Sequence, residues 1–124
     1  MNSTCGVVRL SMNCIFCRII DKKIPSKIVY EDKDVFAFED INPQAPLHIL
    51  IVPKKHISTI LEAGEEDNEL IRQLFQVAGK IARDKGVAER GFRLVMNCNP
   101  ESGQTIYHIH LHLLAGRTMR WPPG

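Results

Sequence analysis

The string Tyr107-His108-Ile109-His110-Leu111-His112-Leu113-Leu114 constrains this chain more than any other stretch. In an extended strand successive side chains point to opposite faces. His108, His110 and His112 therefore share one face, and Ile109, Leu111 and Leu113 share the other. The apolar face belongs against a core; the imidazole face belongs on a groove. Neighbouring histidines on it stand roughly 7 Å apart along the strand, too far for all three to serve one tetrahedral metal but suited to lining a site. Imidazole titrates near 6.5, so such a groove can supply a nucleophile, an acid or a base near neutrality, which fits phosphoryl or acyl transfer.

The rest of the chain supplies elements to carry that strand. Its 124 residues suit a single domain, and 44% hydrophobic with 24% charged residues is the balance of a folded globular protein. Residues 1–11 show no periodicity and read as a weakly ordered leader, leaving 12–124 as the domain. Cys14–Ile20 reads as a short helix ended before Pro25. Ile28–Tyr30 and Val35–Phe38 flank a polar four-residue connection and read as an antiparallel pair. Asn42-Pro43-Gln44-Ala45-Pro46 forces a loop, and Leu47–Val52 follows as a strand carrying a conspicuous His48. From Glu65 to Lys85, Leu70, Leu74, Val77 and Ile81 recur at helical spacing, acidic residues gather at the start and basic ones at the end, and Gly86 is placed to cap. Phe92–Cys98 and Ile106–Leu114 complete about five strands. Short connections with one inserted helix predict an α+β fold, an antiparallel sheet with one long and one short helix.

Three further features carry chemistry. Ser102-Gly103-Gln104-Thr105 ends in side chains able to bond a phosphate, at the mouth of the histidine strand. Cys14-Ile15-Phe16-Cys17 places two thiols at zinc-ligand spacing, although a lone pair of this kind can equally be redox-active or inert. Cys5 and Cys98 stand alone, so four cysteines do not make the dense disulfide framework of a small secreted domain. Sixteen basic against 14 acidic residues leave a formal charge of +2, too small and too evenly spread for a polymeric nucleic-acid footprint. No apolar run approaches a membrane span and no secretory leader is legible, so a cytoplasmic protein is expected.

The His-x-His-x-His string followed by two apolar residues resembles the signature of the histidine triad superfamily of nucleotide hydrolases and transferases. Ile24-Pro25, Phe38-Glu39-Asp40-Ile41, Pro43-Gln44-Ala45-Pro46-Leu47-His48, Pro53-Lys54-Lys55-His56-Ile57 and Trp121-Pro122-Pro123-Gly124 extend the resemblance to its Hint branch over residues 14–124. That resemblance implies that His110 attacks the α-phosphorus of a nucleotide, that His112 contacts the phosphate, and that His108 and His48 support the pair. Gln104 and Thr105 match phosphate and leaving-group contacts, with threonine where serine is usual. Asp40 matches the acid that binds the ribose hydroxyls, Asn97 a polar contact nearby, and Phe16, Ile19, Phe38 and Ile41 the walls of the base pocket.

The same resemblance implies a structural zinc on Cys14, Cys17, His56 and His108. It also implies a homodimer, with the sheet extended or the helices packed across it, in which Trp121 reaches the partner's site and helps select the leaving group; Arg120 stands where histidine is more usual. The expected activity is hydrolysis of the P–N bond of adenosine or guanosine phosphoramidates through a nucleotidyl-histidine intermediate. A dinucleoside polyphosphate hydrolase is the enzymatic alternative, disfavoured by His112 where that branch carries glutamine. A zinc-stapled nucleotide-binding or interaction module is the non-enzymatic one.

Overall fold

A computed structural model describes residues 13–124. The expected leader lies outside these residues. The elements run in the order α1 (Ile15–Ile20), β1 (Ile28–Glu31), β2 (Val35–Glu39), β3 (Leu47–Pro53), α2 (Asn68–Asp84), β4 (Phe92–Val95) and β5 (Leu111–Ala115). The strands form one antiparallel sheet in the order β1-β2-β3-β5-β4. The α+β architecture expected from the sequence is the one observed.

Alternation along the central strands divides the protein into two layers. Val35 and Ala37 of β2, Ile49 and Ile51 of β3 and Leu111 and Leu113 of β5 pack with Leu74, Val77, Ala78 and Ile81 of α2. The opposite face of β2 and β3 turns Phe36, Phe38, Leu50 and Val52 toward Phe16, Cys17, Ile19 and Ile20 of α1. The helices thus sandwich the sheet. The register pairs Leu50 with His112 and His48 with Leu114, and the β4 register places Val95 opposite His112 from the other side. His112 accordingly belongs to the α1 layer, and His48 lies diagonal to it.

Three boundaries differ from the sequence expectation: the start of the long helix, the end of the fourth strand and the start of the histidine strand. The long helix is preceded by a 3₁₀ turn over Glu65–Asp67, so three of the acidic residues expected at its start lie ahead of the first α turn and Glu69 lies within it. The buried Asp67 carboxylate accepts from Gly64 N–H at 2.9 Å and from Lys55 Nζ at 2.6 Å, fixing the entry angle. At the other end Val87 N–H donates to Ala82 O and Gly86 N–H to Arg83 O, with Gly86 at φ +75°, a Schellman closure that only glycine enters without strain. The fourth strand stops at Val95 instead of reaching Cys98.

The most consequential difference concerns the histidine strand. Its ladder begins only at Leu111: residues 106–108 are bent, and Ile109 and His110 follow without pairing to β3. Pro53, at the end of β3, has no N–H to offer. Ile109 N–H instead donates to Ile57 O at 2.7 Å, and the carbonyl of His108 is taken by an imidazole. The face alternation survives: Ile109 is fully buried in the α2 core, together with Leu111 and Leu113.

Leu74 sits at the centre of that core with no solvent exposure. Leu74→Ala is expected to lower the unfolding free energy by about 2–5 kcal/mol, measured by urea denaturation, because the lost transfer energy adds to the cavity left behind.

Candidate functional site

The α1 face of the sheet holds a cavity of about 260 Å³ whose lining includes Phe16, Ile19, Phe38, Asp40, Ile41, Asn97, Thr105, His110 and His112. Nine residues singled out from the sequence thus converge on one opening. Phe16 makes its back wall, with its ring edge-on to His110 at 5.0 Å and to Phe38 at 5.6 Å between centroids. Ile41 is 98% exposed, so it forms a rim of the opening and not an inner wall. Asn97 reaches the cavity by alternation: Phe92, Leu94 and Met96 turn into the α2 core, which sends Val95 and Asn97 to the other face.

Gln104 behaves differently from its neighbours. Its buried amide accepts from Asn99 N–H at 2.8 Å and donates to Ser58 O at 3.0 Å and Ile106 O at 3.1 Å. Both of its donors are spent on backbone, so the side chain buckles the loop while Gly103 and Thr105 line the cavity. Ile15, Leu50 and Ile106 were missed by sequence reasoning, which had named Gly103 in its phosphate-binding stretch; Leu50 was legible, being two residues beyond His48 on the same strand face.

The protonation of each imidazole follows from backbone groups that can only donate or only accept. His110 Nδ1 lies 2.8 Å from His108 O, and a carbonyl cannot donate. The His110 proton is therefore on Nδ1, and Nε2 keeps its lone pair. His108 Nε2 lies 2.8 Å from Pro53 O, so this ring protonates on Nε2 and presents the lone pair of Nδ1. Gln44 N–H donates to His48 Nδ1 at 3.0 Å, which leaves the His48 proton on Nε2. That proton faces His112 Nδ1 at 2.9 Å, with Asp40 Oδ2 at 3.4 Å beside it. Neutral His112 must then carry its own proton on Nε2.

Burial keeps these rings neutral. It is the main cause of the lowered pKa of His110 and of His48, with Asp40 opposing it in both. His112 is pushed down to about 4 by burial first and then by its neighbours His110 and His48. His108, nearly inaccessible, falls to about 3 for the same leading reason. Neutral imidazoles are the forms that can attack an electrophile or bind a metal.

A second cluster lies directly behind the first. Cys14 Sγ, Cys17 Sγ, His56 Nδ1 and His108 Nδ1 all fall within 4.8 Å of one another. Three of the sulfur-to-nitrogen separations are 3.2, 3.5 and 3.5 Å. An edge of a tetrahedron with metal–sulfur bonds near 2.3 Å and metal–nitrogen bonds near 2.0 Å is about 3.5 Å long. Two soft thiols, two imidazoles and no remaining opening fit a closed structural site, and the His108 Nε2–H bond to Pro53 O supplies the outer contact that orients such a ligand. Cys17 takes part in a disulfide, so ligation by its sulfur requires the reduced chain. Trp121 is 82% exposed and does not line this chain's own cavity.

Comparison with known proteins agrees with this geometry. The family model described as scavenger mRNA decapping enzyme C-terminal binding matches residues 13–121. The chain belongs to the histidine triad superfamily. A HIT family hydrolase from Legionella pneumophila is 54% identical, with a TM-score of 0.89, covering 90% of this chain and all of that one. A histidine triad protein from Clostridium difficile is 44% identical at a TM-score of 0.86, covering 88% and 95%. A 14 kDa zinc-binding protein from Zea mays is 51% identical over 112 residues, covering 89% of this chain and 87% of its own length. Among the described residues of this triad protein no helix is long and apolar enough to cross a membrane.

The neutral triad carries a pH signature. In the unfolded chain His48, His110 and His112 take a proton near 6.5, whereas in the fold all three resist it, His112 down to about 4. Protons therefore favour the unfolded state between these values, and stability is expected to fall as pH drops from about 6.5 towards 4. Urea unfolding of metal-free protein across that range checks this, and His112→Asn should flatten the slope.

Proposed function

We propose that this protein is a hydrolase that splits the P–N bond of purine nucleoside phosphoramidates. The observation that carries the reading is the bond from His110 Nδ1–H to His108 O, which leaves the Nε2 lone pair of a buried neutral imidazole as a nucleophile beside the cavity. In the first step Nε2 attacks the α-phosphorus, the P–N bond breaks, and the amine leaves carrying a proton taken from solvent water on the Thr105 side of the cavity. In the second, water attacks the same phosphorus, the N–P bond to His110 breaks, and the nucleotide is released with the histidine restored. Donors already aimed where charge develops make both steps cheaper, and the Nε2–H of His112 is such a donor.

The nucleotide itself is held by groups of matching chemistry. Asp40 keeps Oδ1 on the Asn42 amide, and its carboxylate at the cavity wall is suited to a ribose diol. Phe16, Ile19 and Phe38 offer an apolar slot for a purine, with Ile41 at its rim, and Asn97 a polar contact beside it. Gln104 serves by holding its loop. Zinc on Cys14, Cys17, His56 and His108 is structural in this reading: it ties α1 to the segment before β5 and takes no part in the chemistry. The zinc-binding name of the maize relative supports the choice of metal. A homodimer would bring the exposed Trp121 to the partner's cavity, where it would touch the leaving group.

Adenosine phosphoramidate turnover by the wild type, assayed reduced and zinc-loaded, is expected to fall about 10⁴-fold or more in His110→Ala with AMP binding kept. Elemental analysis should find one zinc per chain in both, and its loss in Cys14→Ser. AMP binding without turnover in the wild type would sink the hydrolase and favour a nucleotide-binding module.

A further inference from the structure

The loop between β2 and β3 is held at Gln44 through both of its main-chain groups. Asp40 Oδ1 accepts from Asn42 N–H at 2.8 Å, and Gln44 Nε2 donates to Asn42 O at 3.1 Å, closing the start of the loop. Gln44 N–H then points at His48 Nδ1, while the carbonyl of the same residue accepts from Arg117 Nε at 3.1 Å. Arg117 follows β5 directly, and its Nη1 also reaches Thr118 O at 3.4 Å. The preceding Gly116 has φ +95°, and a Cβ there would meet Pro46 Cβ at 2.8 Å. The chain leaving β5 is therefore laid against the loop with no side chain between them.

From this arrangement we propose that Arg117 is a positioning residue for the triad: by holding Gln44 it aims the Gln44 N–H at His48 and keeps His48 as the donor to His112. The Gln44 N–H opposite Nδ1 can be answered only by a lone pair, which leaves the His48 proton on Nε2. Asp40 Oδ2 favours the same tautomer, but at 3.4 Å from Nε2 it is beyond good hydrogen-bond distance, so the amide has the larger share. Released from that amide, His48 can protonate on Nδ1 and turn a lone pair towards His112 Nδ1. His112 would then have to protonate on Nδ1 to keep the bond, surrendering the Nε2–H that faces a phosphate. Arg117 touches no substrate in this scheme; it acts through three hydrogen bonds in series. The catalytic consequence rests on the phosphoramidase reading, whereas the tautomer does not.

The test is histidine nitrogen NMR on the full chain near neutral pH, with phosphoramidate kinetics on the same samples. In the wild type the His48 signals should show an unprotonated Nδ1 and a protonated Nε2. In Arg117→Ala they should move towards the average of the two tautomers, and kcat should fall about 10-fold with KM within about twofold, the scale on which outer contacts act. Gln44→Pro, which deletes the amide itself, should move both further in the same direction. Unchanged His48 signals in Arg117→Ala overturn the proposal, even if turnover drops, since the loss would then be merely structural. A tautomer shift in a protein whose wild type fails to turn over the phosphoramidate supports the positioning role and removes the reaction assigned to it.

Discussion

The carbonyl of His108 is the hinge of this structure. It is free to take the Nδ1 proton of His110 because the strand has not yet joined the sheet at that residue. Carried on, the β3–β5 register would set Pro53 opposite Ile109 and His108 opposite Lys54, beyond the end of β3, so the ladder does not claim this carbonyl. Pro53 instead turns its own carbonyl to His108 Nε2. Two backbone oxygens thus orient two adjacent histidines of the triad in opposite senses, one with its lone pair towards thiols and the other towards the cavity.

This division explains how one short segment serves two sites. His108 and His110 share a strand face, and Phe16 touches both rings, at 6.0 and 5.0 Å between centroids. Phe16 is itself framed by Cys14 and Cys17 at the start of α1, so the cysteine cluster fixes the helix that walls the cavity. A further tie comes from below. The Lys55–Asp67 pair, with the carboxylate buried, anchors the residue next to His56 to the entry of α2. Lys55 and Gly64 hold the Asp67 carboxyl below its ordinary pKa, which keeps that anchor charged.

Much of this was legible in the residues. The alternation of residues 107–114 gave the two faces correctly, because burial of Ile109, Leu111 and Leu113 is set by side-chain direction and not by ladder bonds. The periodic stripe of α2 gave its core contacts, since Leu74, Val77 and Ile81 repeat at the helical period. What stayed hidden were contacts made by main-chain atoms. No residue type announces that Gln44 contributes an N–H, Pro53 a carbonyl or His108 its own carbonyl. The side-chain amide of Gln104 shows a related limit: its type announces bonding capacity, and only the fold shows that Ser58, Asn99 and Ile106 take up three of its bonds.

The neutral state of the triad follows from the same economy of backbone contacts. A buried imidazolium needs an acceptor at each nitrogen, and burial penalises its charge; His48 meets a donor, the Gln44 N–H, at its Nδ1. Asp40 is the single carboxylate lining the cavity, and it pulls upward on the pKa of His48, His110 and His112 alike without overcoming burial. An anionic ligand entering between Asp40 and the histidines would change that balance, since its phosphate adds negative charge beside the Asp40 carboxylate. The rings that are neutral in the empty cavity would then gain affinity for protons, so that arrival of a phosphate, and not the fold alone, would supply the acid required to expel a leaving group.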